Sequence, residues 1–217
     1  NFRSTGTNNL KDTNNLRTNV INDLNYLGNN YIFNTGLKNN FNVYLKNLNA
    51  VGKNDSEYKS SPSSELISIF ELSSELPLEK NNPTNFSKLT PKISFRFNPS
   101  DMKNYSDVNR EINVDNIFNV NRLAMEDTLE TGESLTAGLG YKIEDKTNYD
   151  KYFKFDVATV FRNKEVNEIS KATTLNKKKS NIFGSLENRF SDFLTIEYDF
   201  ALTNNLNKVE YNSINST

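Results

Sequence analysis

Apolar and polar residues alternate with a period of two through most of this 217-residue chain. The clearest run spans residues 134–143, where Leu135, Ala137, Leu139, Tyr141 and Ile143 share one face of an extended segment. The residues between them are small or polar. This spacing is typical of a β-strand with one apolar face. The pattern therefore predicts strands whose two faces lie in different environments.

Similar runs recur along the chain and are separated by residues that favour turns, such as Gly28, Asn29 and Asn30. Residues 1–13 are polar and carry no clear pattern. The connections tend to alternate between short and long, and the longest spans 98–133. We therefore predict an all-β fold, an antiparallel up-and-down meander of about nine strands. The strands are expected at 16–26, 31–46, 66–76, 89–97, 134–143, 153–161, 182–190, 194–202 and from 209 onward.

The composition favours a membrane barrel over a soluble globule. Mean hydropathy is only −0.70, yet the chain has 15 Phe and 10 Tyr, which disordered chains usually lack. Lys38, Arg96 and Lys154 lie in the middle of predicted strands, where facing lipid costs about 2–4 kcal/mol each. A hydrated lumen removes that cost. The pattern and composition thus predict a transmembrane β-barrel, with a soluble β-sandwich as the alternative.

The barrel interpretation assigns an environment to each strand face. The residues expected to face lipid are Phe33, Phe41, Val43, Phe95, Leu139, Phe155, Ile196 and Phe200. The residues expected to face the lumen are Asn34, Lys38, Lys46, Lys92, Arg96, Lys142, Lys154 and Glu197. The cations among them are interpreted either as a track for lipid phosphates or, preferably, as solvated residues of a lumen wall.

Several kinds of chemistry find no support in the sequence. Cysteine and histidine are absent, which removes thiolate sites, the commonest metal ligand and the commonest general base. Neither G-x-S-x-G nor G-x-G-x-x-G occurs, and the acidic residues lack the spacing of a calcium loop. The net charge of −1 gives no sign of nucleic-acid binding. We expect no enzymatic activity, cofactor or metal.

The stretch NIFNVNRLAMEDTLETGESLTAGLGY, residues 116–141, resembles the signature of the LPS-assembly outer-membrane proteins, the LptD family. Segments 58–78, 89–99 and 152–211 are similar to neighbouring barrel strands of that family. Two positions depart from it, because many members have Gly at the position of Ala124 and Arg at that of Thr128. The residues of the signature loop are Asp115, Asn116, Phe118, Asn121, Arg122, Asp127, Glu130 and Gly132.

The resemblance implies transport of lipopolysaccharide (LPS) and its insertion into the outer leaflet of the cell outer membrane. It also implies four partners: LPS, a plug lipoprotein similar to LptE, the barrel-assembly machinery and outer-membrane lipid. Residues 1–217 are then expected to be a partial section of a large transmembrane β-barrel and to form part of one barrel domain, with a periplasmic domain and further strands elsewhere in a longer protein. The alternatives are another outer-membrane barrel, either a porin or a nutrient receptor, and an extracellular β-rich binding protein.

The long connection is the most specific part of the resemblance. Ile117, Phe118, Val120 and Leu123 predict an ordered segment folded against the interior or rim of the barrel. Arg122 and the acidic residues near it are interpreted mainly as an ion pair that fixes the path of the loop, and less readily as a substrate-contacting or gating cluster. The working hypothesis is that this loop restricts the exit of the lipid.

Overall fold

A computed structural model describes residues 1–12 and 14–217 of the chain. The described residues form one antiparallel sheet in which ten strands follow each other in chain order, from β1 at one edge to β12 at the other. Two short strands, β3 and β6, add pairing at the ends of β4 and β7. The strands are β1 (Phe2–Lys11), β2 (Asn15–Leu27), β3 (Tyr31–Ile32), β4 (Lys38–Lys53), β5 (Ser63–Glu75), β6 (Leu78–Asn81), β7 (Asn85–Asn98), β8 (Gly132–Asp145), β9 (Tyr152–Arg162), β10 (Ile182–Ser191), β11 (Leu194–Leu202) and β12 (Val209–Ser216).

The predicted all-β antiparallel meander is confirmed, although the described residues form twelve strands, ten of them in the main order, rather than about nine. Residues 2–11 form β1, which pairs with β2 along its whole length. The alternation is weak there because Ser4, Gly6 and Asn8 lie between Phe2 and Leu10 on one face. Pairing with β2, rather than the local pattern, makes this segment a strand.

The turn predicted at Gly28 is also misplaced. The N–H of Gly28 donates to the carbonyl of Phe41 at 2.8 Å, so the pairing with β4 continues past this point. A Cβ at Gly28 would lie 2.5 Å from that carbonyl oxygen, which explains why only glycine fits. The chain reverses instead at residues 33–37, where Phe33 N–H bonds to Leu37. Phe33 and Asn34 therefore lie in a turn and on neither face.

The two faces of the sheet differ sharply. Two long connections, 99–131 and 163–181, fold back over one face, which we call the covered face. The other, the open face, carries exposed apolar side chains in register across neighbouring strands, such as Leu72 and Phe95. Among the described strands, charged residues on the open face occur only near strand ends, at Lys53, Lys80, Glu133 and Asp145.

The buried core lies between the covered face and the loops, not between two sheets. The largest cluster joins loop residues such as Ile117 and Leu123 to Val160 of β9. Ile67 and Ile69, which interrupt the polar face of β5, are 3% and 1% exposed because Leu129 of the loop packs on them. The irregular alternation of β5 thus marks the place where the loop docks.

The three longest connections lie at one end of the sheet, which also carries the short connection 203–208. Residues 54–62, 99–131 and 163–181 join strands at the loop end, whereas 33–37, 82–84, 146–151 and 192–193 join them at the opposite, turn end. None of the residues that the model describes belongs to a helix long and apolar enough to span a membrane.

Candidate functional site

The signature loop is ordered by its own asparagines before it reaches the sheet. The side chain of Asn116 accepts from Asn113 N–H at 3.0 Å and donates to the Glu111 carbonyl at 3.1 Å. The side chain of Asn121 closes the next turn through both the N–H and the carbonyl of Met125, at 3.1 and 2.7 Å. Asparagine suits such turns because its amide both donates and accepts. Asp115 remains exposed.

The turn held by Asn121 projects Arg122 into the covered face. Its guanidinium is fully buried and donates to Glu130 at 2.7 Å through Nε. It also bonds to Thr136 at 3.0 Å and to Ser134 at 3.2 Å, both on β8. The small polar residues of β8 therefore leave room for an arginine and satisfy its donors.

Glu130 is the centre of a buried cluster of charges. Besides Arg122, its carboxylate contacts Arg96 of β7, at 3.5 Å, and Arg162 of β9. All four side chains are no more than 4% exposed. Glu71 of β5 lies opposite Arg96 in the sheet register and supplies a second carboxylate nearby. One loop residue thus unites three arginines from three separate parts of the chain.

The arginines determine the charge state of Glu130. Burial alone would raise the pKa of this carboxyl group, but the charges of Arg122, Arg96 and Arg162 outweigh it and hold the pKa well below its usual range. The group is therefore ionised throughout the physiological pH range. A buried carboxylate among guanidiniums is typical of a structural lock, because removal of either sign leaves an uncompensated buried charge.

Asp127 forms a second anchor on the outer side of the loop. It accepts from Lys103 at 2.7 Å and from the Tyr105 hydroxyl at 2.6 Å, and Tyr58 approaches at 3.4 Å. Burial tends to raise its pKa, yet the bonds from Lys103 and Tyr105 lower it overall. Burial and the bond to Asp127 raise the pKa of Tyr105. Asp127 thus joins the loop to itself and to connection 54–62.

Glycine residues of the signature allow close packing of the loop. Phe118 lies against Gly138, where an added Cβ would be 2.8 Å from the ring and 3.0 Å from the Val157 carbonyl oxygen. Gly132 begins β8 with a φ of +81° beside the guanidinium of Arg162. The loop therefore packs on the small-residue face of β8.

Comparison with known proteins gives a family match for this chain. The model of the family described as "LptD: LPS transport system D" matches residues 1–217, the whole chain. The chain belongs to the LptD family. No curated protein matches it. The family transports and assembles LPS at the outer membrane, binds LPS and works with LptE, and it is a transport family rather than an enzyme family.

Seven of the eight predicted lumen residues of this LptD chain lie on the covered face, and the eighth, Asn34, lies in the turn at 33–37. Five of its cations have carboxylate partners, so no row of free positive charges results. The pairs are Lys38–Glu75 at 3.2 Å, Lys46–Asp23 at 2.8 Å, Arg96–Glu130 at 3.5 Å, Lys154–Asp156 at 3.0 Å, and Lys142–Glu144. Lys92 lies between Glu75 and Gly138 in the register, and Glu197 lies opposite Glu187.

Sequence reasoning missed several residues of the LptD loop site. Arg162, Asn98, Lys103 and Tyr58 were not among the candidates, yet all contact the loop or its anchors. Arg162 carried a usable signal, because counting along the β8–β9 hairpin places it opposite Ser134. Asn98 ends β7, Lys103 lies earlier in the same connection and Tyr58 lies in connection 54–62, and only the fold brings them to the site.

Proposed function

We propose that this chain forms part of the wall of an outer-membrane barrel that delivers LPS to the outer leaflet. The open face contacts lipid, and the covered face lines the hydrated lumen. In this assignment the predicted lipid-facing and lumen-facing strand residues take opposite sides of one wall. The complete protein then works with an LptE-like plug lipoprotein and depends on the barrel-assembly machinery for insertion.

The observation that carries the proposal is the uncharged band on the open face. On β8 the band is bounded by Glu133 and Asp145, with Leu139 at its middle. At about 3.3 Å per residue, this segment extends about 40 Å along the strand. With a strand tilt of 35–45°, its height is about 30 Å, close to the hydrocarbon thickness of a membrane.

The covered face supports the same assignment from the other side. Its charged residues form ion pairs at many strand positions and stay partly exposed between the loops and the turn end, as at Lys154 and Asp156. Such a surface would be costly against lipid but is ordinary in the lumen of a barrel. A β-sandwich would require a second sheet on the apolar face, and the described residues form one sheet only.

The transport function can be tested by depletion of the full-length protein from cells. Newly made LPS should then fail to reach the cell surface, as measured by surface labelling after a metabolic pulse. Re-expression of the wild-type protein should restore delivery. Continued normal delivery in depleted cells would refute the proposed function.

A photo-crosslinking amino acid tests the route within the same protein. At Thr90, on the covered face, it should form adducts with LPS during active transport. Arrest of LPS synthesis before crosslinking provides the control, because adducts that depend on LPS transport should then no longer form. Adducts that persist unchanged would indicate contact with resident lipid and would contradict a lumen-facing Thr90.

A further inference from the structure

Four lysines lie near one another on the covered face, between the docked loops and the turn end, and we call them the lysine cluster (Lys88, Lys92, Lys142 and Lys154). Lys88 of β7, Lys142 of β8 and Lys154 of β9 lie directly opposite one another in the sheet register. Neighbouring strands are about 4.8 Å apart, so this row is about 10 Å wide. Lys92 lies on the same face of β7, about 13 Å from Lys88 toward the loop end.

The register makes the row unfavourable for the sheet itself, because like charges directly opposite each other destabilise strand pairing. Acidic residues flank the row, with Glu79 of β6 beside Lys88 and Glu187 of β10 beside Lys154. Lys142, in the middle, has a lysine on each side. Hydration of a lumen wall needs only polar side chains and does not require three aligned cations. The alignment therefore indicates a binding role.

The carboxylates that pair with the row leave its ammonium groups accessible. The pairs are Lys88–Glu79 at 3.7 Å, Lys154–Asp156 at 3.0 Å, and Lys142–Glu144. The side chains of Lys88, Lys142 and Lys154 are 41%, 41% and 39% exposed. The structural pair Lys46–Asp23 differs, because its lysine is only 2% exposed. A ligand in the lumen can therefore reach the three cations of the row.

Small residues form the floor of the lysine cluster. Thr90 lies between Lys88 and Lys92 on β7, and Gly140 lies opposite Thr90 on β8. A Cβ at Gly140 would come within 2.7 Å of the Asp156 carboxylate, which leans over this position. The two small residues leave a shallow depression bordered by the lysines.

Carboxylates limit the lysine cluster on the side of β10 and β11. Glu187 and Glu197 continue the row beyond Lys154, and Asp199 lies two residues from Glu197 on the same face. These carboxylates attract the ammonium group of Lys154 but repel an anion. An anionic ligand is thus confined to the part of the wall formed by β7, β8 and β9.

We propose that the lysine cluster binds the phosphate groups of a phosphorylated saccharide, which is the chemistry of the LPS headgroup. Lysine binds phosphate oxygens as a compact point charge, and its long stem lets the ammonium group follow the ligand. Cations spread over about 10 Å by 13 Å fit an elongated ligand with two phosphates better than a single small ion. The use of this site during LPS passage rests on the proposed function, whereas the binding itself does not.

Protection of lysines from acetylation tests the site in the full-length protein without any substitution. The purified protein in nonionic detergent is acetylated with and without a glucosamine disaccharide that lacks acyl chains and carries one phosphate on each sugar. Quantitative peptide mapping then gives the modification at each lysine. We expect a loss of modification at the four cluster lysines and none at Lys38 and Lys208, which are exposed elsewhere. Equal modification of the cluster with and without the disaccharide would refute the site.

Two comparison probes define what the site recognises. The same disaccharide without phosphates and inorganic phosphate, each at the same concentration, should leave the modification of the cluster unchanged. Protection by the phosphate-free disaccharide would assign the binding to the sugar. Protection by inorganic phosphate would reveal an anion site that does not select the headgroup. Either result would overturn the proposal.

Charge substitution supplies a second measurement. The triple variant Lys88→Gln/Lys142→Gln/Lys154→Gln should bind the diphosphorylated disaccharide about tenfold more weakly in calorimetric titration, since each exposed charge contact contributes modestly. The control Lys38→Gln/Lys171→Gln/Lys208→Gln removes the same charge elsewhere and should bind as wild type does. Equal affinity of the two glutamine variants would contradict the proposal.

Replacement of the same three cluster lysines by arginine retains the charge and should retain the binding. Heat-dependent gel mobility verifies that each variant is an assembled barrel. Loss of binding in the assembled arginine variant would show that positive charge is not what the ligand recognises. Binding together with normal LPS delivery after depletion of the protein would refute the proposed function alone. Absence of binding together with delivery that depends on the protein would refute the lysine site alone.

Discussion

At the scale of single residues, Glu130 has the largest structural effect expected in this chain. Its carboxylate neutralises part of the charge of Arg96, Arg122 and Arg162 in a site closed to water. Glu130→Gln removes one charge and leaves three buried cations facing each other. Loss of one partner from a buried ion pair typically costs about 3–5 kcal/mol. We expect a destabilisation of that size in denaturant unfolding of the full-length protein.

Glu133→Gln is the matched control for that experiment. Glu133 lies three positions away and accepts from Asn163 at 3.1 Å, in an exposed setting. Its replacement should leave the free energy of unfolding within about 0.5 kcal/mol of wild type, as surface changes usually do. Equal effects of the two variants would show that the arginine cluster does not stabilise the fold.

The stabilisation from Glu130 should also depend on pH. The folded-state pKa of this group is held below its unfolded value by the arginines. Its contribution is therefore fully present above the unfolded pKa of about 4.3 and decreases as the pH falls below that value. The stability gap between wild type and Glu130→Gln should stay constant from pH 7 to 5 and shrink in more acidic solution. A gap that grew on acidification would contradict this charge assignment.

A substitution at Ala124 should stabilise the protein, unlike the loss of charge at Glu130. Its φ of 48° is in the left-handed region, which costs a residue with a Cβ about 1–2 kcal/mol. The turn is retained because Asn121 bonds to both sides of it. Ala124→Gly should therefore stabilise the loop by about 1 kcal/mol, measured as slower proteolysis of residues 110–130. Faster proteolysis would show that the conformation at this position is not strained.

At the scale of elements, the signature couples a loop to the strand that follows it. Phe118 rests on Gly138, and Arg122 reaches Ser134 and Thr136 of the same strand. A loop with these anchors cannot dock on a strand that carries large side chains on its polar face. The alternation of small and apolar residues in β8 therefore specifies both the strand and the surface on which the loop packs.

Gly138→Ala tests this coupling. The new methyl group would collide with the Phe118 ring and with the backbone carbonyl of Val157, and overpacking of this kind costs about 1–3 kcal/mol. We expect increased proteolysis of the loop. Gly140→Ala is the control, because its methyl group would meet the end of the Asp156 side chain, which can rotate away. Equal protection of the loop from proteolysis in the two variants would show that the loop does not depend on close packing against Gly138.

At the scale of the whole molecule, the sheet forms a wall with one apolar side and one polar side. Leu139 lies at the middle of the uncharged band, and Thr90, its near neighbour on β7, points to the covered face. Leu139→Arg should reduce stability in a bilayer by about 2–4 kcal/mol, whereas Thr90→Arg should have little effect. Comparison of denaturant midpoints in lipid vesicles measures both. Similar effects from the two substitutions would refute the proposed orientation.

Much of this architecture follows from local pattern. Apolar residues recur at every second position in β2, β4 and β7–β12, and less regularly in β5, and a period of two leaves each side chain only one of two faces. The sheet order follows chain order because antiparallel neighbours need only short turns. The family signature is also local, since 115–132 is one continuous segment. Strand β1 and the turn at 33–37 are exceptions, because pairing with a neighbouring strand decides them.

Tertiary structure alone decided which charges meet and which surfaces are buried. Three arginines converge on Glu130 because sheet register and loop docking superimpose positions 96, 122 and 162. The burial of Val166, Ile169 and Leu175 in a charged connection depends on the shape of the other loop. Periodicity reports the neighbours of a residue along the chain, whereas the energies of burial and of ion pairs depend on distances in space. Hence the sequence predicted a two-sided wall, and only the packed loops revealed how one end of it is closed.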